Sequence, residues 1–94
     1  MITTKEYAIS EVRTAIATLR ASGARVVKME TASDAWTDMA GRPVGRTEVL
    51  HVGRGGRVMG RVDGLVTRIQ PRVDWEARHL AQPTISITVE EAVP

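Results

Sequence analysis

HVGRGGRVMGRVDGLVTRI, residues 51–69, carries five glycines and four arginines in nineteen positions, with Pro71 just beyond it. Two readings compete for it. The glycines could form a cradle for phosphates, or they could be the turns between consecutive strands. Spacing decides against the common cradles. A dinucleotide fingerprint needs glycine at 53, 55 and 58, but position 58 is valine, and no Gly-Lys-Ser/Thr follows for a P-loop. With strands expected on both sides, no helix N-terminus is expected beside these glycines to hold an anion.

The turn reading has positive support. Asp63-Gly64 sits between alternating segments, the strongest short-range hairpin signal. A two-residue loop there sets Val62 opposite Leu65, Gly60 opposite Thr67 and Val58 opposite Ile69, on one mainly aliphatic face. The other face sets Arg61 opposite Val66, Met59 opposite Arg68 and Arg57 opposite Gln70. Such a ribbon belongs to a sheet that is covered on one side. Gly-Arg-Gly-Gly, 53–56, then joins this ribbon to a strand over 46–52. An odd-numbered loop with a bulge is favoured, because it turns Leu50 and Val52 to the aliphatic face and His51 to the arginine face. Pro71 ends the meander, since proline cannot donate within a ladder.

Upstream, Ile9, Val12, Ile16 and Leu19 recur at helical spacing, with Ala8 and Ala15 on the same side, which predicts an amphipathic helix over 4–22. Thr3 and Glu6 have capping-box spacing, and Gly23 stands where a C-terminal cap belongs. Residues 24–30 read as a strand with Val27 and Met29 facing one way; 31–39 admits a short helix capped by Ser33 or Thr31, but Ala35, Thr37 and Met39 alternate, which favours a further strand. Residues 40–45 read as a loop. Downstream, 71–83 is a connection bracketed by prolines, with a short helix from Asp74 through Ala81. The segment 84–91 is a last strand that turns Ile85, Ile87 and Val89 inward. The expectation is a single α+β domain over 1–94, two-layered, with one N-terminal amphipathic helix packed on a four- to five-stranded antiparallel meander sheet.

Composition narrows the function classes. The chain has no cysteine, which excludes disulfides, thiolate nucleophiles and sulfur-ligated zinc. No apolar run approaches the roughly 20 residues of a membrane span, and the opening MITTKEYAIS lacks the pattern of a secretory signal, so a cytoplasmic protein without membrane contact is expected. The net charge of +2 is unevenly spread: residues 1–40 are neutral, 41–72 carry +5 and 73–94 carry −3. A basic middle segment points to a charged partner.

Arg57, Arg61 and Arg68 on one ribbon face, with Arg54 at the tip and Arg42 or Arg46 nearby, are the best constellation of the sequence. Arginine forks suit an acidic protein surface or phosphates. With Trp75 as an anchor, the expected binding residues are Arg54, Arg57, Arg61, Arg68 and Trp75, and the expected function is a small non-enzymatic protein-binding or regulatory module of accessory or inhibitor type. A homodimer through the sheet is a further expectation. The second reading is a nucleic-acid-binding protein using the basic β-ribbon 46–70, since a two-stranded ribbon can enter a major groove. The bland alternative is a solvated face whose long side chains discourage edge aggregation.

A catalytic role has the least support. His51 and His79 are the only histidines, and Glu76 with His79 is a single copy of a spacing that metal sites use twice. No catalytic residue, metal or cofactor is assigned. Trp36 is either a core plug or an interface anchor.

Overall fold

The computed structural model describes residues 1–92, apart from the side chain of Glu76. One seven-stranded antiparallel sheet runs through it. The strands are β1 (Ile2–Ala8), β2 (Arg25–Thr31), β3 (Trp36–Asp38), β4 (Glu48–Val52), β5 (Val58–Val62), β6 (Leu65–Pro71) and β7 (Thr84–Glu90). Helix α1 spans Ile9–Ala21, a 3-10 turn spans Arg54–Gly56, and the short helix α2 spans Trp75–His79. The spatial order is β1-β7-β2-β4-β5-β6-β3. The α+β class and the antiparallel sheet agree with the sequence reading. The strand count does not: seven strands stand where four to five were expected, β1 at one edge was not expected as a strand at all, and only β4, β5 and β6 follow one another as a meander.

The first correction concerns the chain start. Residues 4–8, expected as the first turns of the helix, belong to β1, paired with β7 from Ile2↔Glu90 to Ala8↔Thr84. The helical stripe is real but begins at Ile9. Ala8 is the N-cap and makes no side-chain capping bond, so Thr3 and Glu6 form no capping box. Glu6 instead lies across from Ser86, and the Thr84 hydroxyl donates toward its carboxylate at 3.5 Å. Ile2, Thr3 and Thr4 favour extended backbone once a partner strand is present, and that partner is far away in sequence. The C-terminal end of α1 is as expected. Gly23 adopts φ +85, its N–H donates to Arg20 O at 3.0 Å, and Ala24 N–H donates to Leu19 O at 3.0 Å. This is the six-to-one and five-to-two bonding of a Schellman end.

The meander around the opening stretch has the deduced register. Val58↔Ile69, Met59↔Arg68, Gly60↔Thr67, Arg61↔Val66 and Val62↔Leu65 pair as reasoned from the Asp-Gly turn. Asp63 (φ +50) and Gly64 (φ +79) supply the two positive angles of a type I′ turn. The β4–β5 loop is odd-numbered and β4 carries a bulge, as favoured. Val52 pairs with Val58, and His51 pairs with Met59 on the arginine face. The expectation for Leu50 fails, because the bulge falls on Leu50 itself. Val49 takes the inward place opposite Gly60, only 4% exposed, and Leu50 is exposed.

A second bulge, between Val26 and Lys28, overturns the facing of Val27. Val26 and Met29 turn inward opposite Val89 and Ile87, while Val27 is exposed. Within 31–39 Thr31 ends β2 and Trp36–Asp38 form the edge strand β3 against β6, with no helix between them. Trp36 is fully buried in the core, and its indole N–H has no acceptor among the described residues.

The core lies on one face. Val12 of α1, Ile85, Ile87 and Val89 of β7, and Val49, Val52, Val58, Ile69 and Trp36 belong to one buried cluster. Ile9, Ile16 and Leu19 of α1 pack against it half-buried. Thr31 is also completely buried, with its hydroxyl accepting from Thr47 N–H at 2.8 Å and donating to Gly45 O at 3.0 Å. That exchange satisfies groups whose burial would otherwise cost roughly 1–3 kcal/mol.

Register places Arg25, Lys28, Glu30, Glu48, His51, Met59, Arg57, Arg61, Arg68 and Gln70 on the opposite, outer face. No helix among the described residues is long and apolar enough to cross a membrane.

Candidate functional site

Charge pairing on the outer face is uneven. Toward β2 and β4 the acids and bases cancel. Arg25 is bonded to Glu90; Lys28 and Arg46 lie 3.6 and 3.8 Å from Glu30; Arg61 lies 3.3 Å from Glu48. The facing pair Glu30↔Glu48 would be repulsive alone, and these cations offset it. At the β5–β6 end, Arg54, Arg57 and Arg68 have no carboxylate within 4 Å among the described residues.

These three arginines line one open hollow of about 800 Å³, together with His51, Met59 and the backbone of Gly53 and Gly55. The position of each follows from local structure. Arg68 stands opposite Met59 across the ribbon, and Arg57 is the last residue before β5. Arg54 starts the 3-10 turn, which Gly55 (φ +72) and Gly56 (φ +76) make with angles that side chains disfavour. Gly53 N–H closes the loop on Arg57 O at 2.7 Å. A side chain at Gly53 would come within 3.4 Å of His51 Nε2.

Among the five residues read from the sequence, the structure brings Arg54, Arg57 and Arg68 together. Arg61 is on the same face but engaged with Glu48. Trp75 is not part of the hollow. It is half-buried, packs against the core cluster on the helix side, and stacks on His79 with ring centres 3.6 Å apart. The sequence reading set Met59, and in its favoured register His51, on the arginine face but named neither as a binding residue, and weighed His51 only as a strand residue or, with least support, a catalytic histidine. The place of Met59 follows from the β5–β6 turn, while that of His51 depends on the β4–β5 register, which loop length alone leaves open.

The histidines are apart. His51 is exposed on the arginine face, and His79 is exposed on α2 with Nδ1 3.1 Å from Trp75 O. Neither has a carboxylate within 4 Å among the described residues. The Glu76–His79 pair lies partly outside them, because the Glu76 side chain is not described. Among the described residues no three His, Cys, Asp or Glu side chains gather as a metal site.

On the other side of the 53–56 turn is a second space, a cavity of about 520 Å³. Its walls are Ile9, Ser10 and Arg13 of α1, Gly53, Gly55 and Gly56, the start of the β6–α2 connection, and Gln82-Pro83. Contrary to the sequence expectation, the glycine turn therefore does lie beside the start of a helix. Gly56 is close enough to α1 that a Cβ there would meet Ile9 Cγ2 at 3.4 Å. The juxtaposition comes from β1: a helix beginning at residue 9, entered from an edge strand beside β7, starts over the end of β4.

Comparison with family models, curated proteins and solved structures found no match.

Proposed function

We propose that the chain is a small protein-binding or regulatory module whose contact surface is the hollow formed by Arg54, Arg57 and Arg68. The observation that carries this reading is the uneven ledger of the outer face, where every basic side chain toward β2 and β4 has an acid and these three do not. Guanidinium groups gathered in a concave place favour a partner that supplies carboxylates, because paired forks there form charge-assisted bonds. His51 and Met59 give the hollow a mixed lining that an acidic peptide or loop, with an apolar residue among its acids, would fit.

The nucleic-acid reading receives less support. β5 and β6 are flanked by β4 and β3, so the ribbon does not project as a free two-stranded element into a groove. No aromatic side chain stands on the outer face as a stacking platform.

Binding of a polyglutamate peptide and of duplex DNA, each measured by fluorescence anisotropy across a salt series, tests the choice. Arg57→Glu/Arg68→Glu is expected to weaken peptide binding at least tenfold, while Arg61→Glu costs less because Arg61 is already paired. DNA binding stronger than peptide binding, with a steep salt slope, would replace the first reading by the second. Unchanged peptide affinity in the double variant would remove the hollow as the contact surface.

A further inference from the structure

The cavity between α1 and the glycine turn has a chemistry of its own. Its volume, about 520 Å³, is in the range of small-molecule sites, which run from roughly 300 to 1,000 Å³. Ile9, Val52, Pro71 and Pro83 give it apolar walls. Its ionisable lining is of one sign: Arg13 and Arg72 border it, and no aspartate or glutamate does. Arg13 has no carboxylate within 4 Å among the described residues, and Arg72 shares Asp74 with Arg78, at 3.4 and 3.3 Å. Ser10 and Gln82 add neutral hydrogen-bonding groups. An apolar chamber bordered by two guanidinium groups and no acid is suited to a molecule with one negative end and an apolar remainder. A purely apolar ligand would leave the cationic rim unused, and a free inorganic anion would leave the walls uncovered.

We propose that this cavity binds a small amphipathic anion, a carboxylate or phosphate head on a short apolar body, with Arg13 and Arg72 at the head and Ile9, Val52 and Pro83 along the body. The site is separate from the arginine hollow and does not depend on that surface having a partner. The two spaces share only the Gly53–Gly55 backbone as a wall.

The experiment is a titration of the ¹⁵N-labelled full chain, following the amide signals of Ser10, Gly53, Gly55 and Gly56. Four probes are compared: hexanoate, hexyl phosphate, hexanol and inorganic phosphate. Hexanoate or hexyl phosphate is expected to give saturable shifts at these amides, and the stronger of the two identifies the head group. Hexanol and inorganic phosphate are each expected to bind at least tenfold more weakly. Arg13→Gln should weaken the preferred probe about tenfold and Arg72→Gln less, because Arg72 already shares Asp74, and Ser10→Trp, which narrows the chamber without touching the charges, should abolish binding. Arg57→Glu/Arg68→Glu should leave it unchanged, which separates this site from the hollow. The amide spectrum of each variant reports whether it remains folded. Absence of saturable shifts with both anionic probes overturns the proposal. So does hexanol binding as tightly as hexanoate, inorganic phosphate binding as tightly as hexyl phosphate, or indifference of the preferred probe to both arginine replacements.

Discussion

Gly60→Ala should destabilise the protein, against the ordinary sign of that substitution in a strand. Glycine within a strand normally costs roughly 0.5–1 kcal/mol relative to alanine, because it has more freedom to lose on folding. Gly60 has no positive φ that would forbid a side chain. The obstacle is space. A Cβ there would stand 3.0 Å from the carbonyl oxygen of Glu48, 3.0 Å from Thr47 Cγ2 and 3.1 Å from Ile69 Cδ1. Ile69 can move its terminal methyl, but the Glu48 oxygen belongs to the neighbouring strand and moves only with the ladder. Forcing one methyl into a packed place costs about 1–3 kcal/mol, which outweighs the entropic gain. The net expectation is a loss of about 1–2 kcal/mol, or a Tm lower by roughly 5–15 °C for a chain of this length. Thermal and urea unfolding followed by circular dichroism would measure it. Gly53→Ala is the internal comparison. Gly53 also lacks a positive φ, and its nearest approach is the movable His51 ring at 3.4 Å, so its stability should change by less than about 0.5 kcal/mol. Adding Ile69→Val to Gly60→Ala removes the methyl at 3.1 Å, so the two changes should cost less together than their separate effects predict. A Gly60→Ala protein as stable as the parent, or more so, would refute this account of why glycine stands opposite Val49 and Thr67.

Two other predictions address loop ends. Asp38 Oδ1 accepts from the N–H groups of Ala40 and Arg42, both at 2.9 Å, and Oδ2 accepts from Arg42 Nε at 2.9 Å. The Arg42 amide first, then its guanidinium and the Ala40 amide, hold the carboxyl below the usual carboxylate range against an opposing desolvation effect. A lowered folded-state pKa means the stabilisation is complete above the ordinary carboxylate range and is lost as pH falls through the depressed value. Asp38→Asn should therefore lower Tm at pH 7, with the gap closing below about pH 4 in a pH series of melts. Leu80, just after α2, adopts φ +54 and is 94% exposed, so its side chain gains nothing from burial while its backbone carries left-handed strain. Leu80→Asn should stabilise by about 0.5–1 kcal/mol in the same melts, because asparagine tolerates that region.

What the sequence made legible was what local chemistry determines. Asp63-Gly64 specified a turn whose two positive angles admit one register, and every facing pair from Val58 to Ile69 follows from it. Gly23 ended α1 for the same kind of reason. The errors arose where a local signal competed with a distant partner. Residues 2–8 continue into a helical stripe, and only pairing with a strand more than seventy residues away makes them extended. Bulges defeated the two alternation arguments at Val27 and Leu50, since one extra residue reverses every side chain beyond it. The arginine face was readable because alternation on a regular ribbon is reliable. Its internal bookkeeping was not, because whether Arg61 or Arg68 meets an acid depends on Glu48 arriving from β4.

The glycine turn shows how far one misplaced boundary travels. Excluding a helix beside 53–56 was sound for helices that follow directly in sequence, and none does. The helix that arrives there comes from the other end of the chain, and it arrives only because β1 takes the edge beside β7 and releases the chain at Ala8. Had α1 begun near residue 4, its first turn would lie away from Gly56, and Ile9, Ser10 and Arg13 would sit mid-helix. The same four residues thus serve two surfaces. Arg54 belongs to the hollow on the outer face, while Gly55 and Gly56, held at positive φ, leave open the wall that α1 shares. A side chain at Gly55 would meet no neighbour, so backbone angle and not crowding is what requires glycine there. At Gly56 the positive φ is again the reason, and Ile9 Cγ2, 3.4 Å from the place a Cβ would occupy, is in contact with it. Turn chemistry explains why these residues are glycines, and the topology of β1 explains why there is something for them to border.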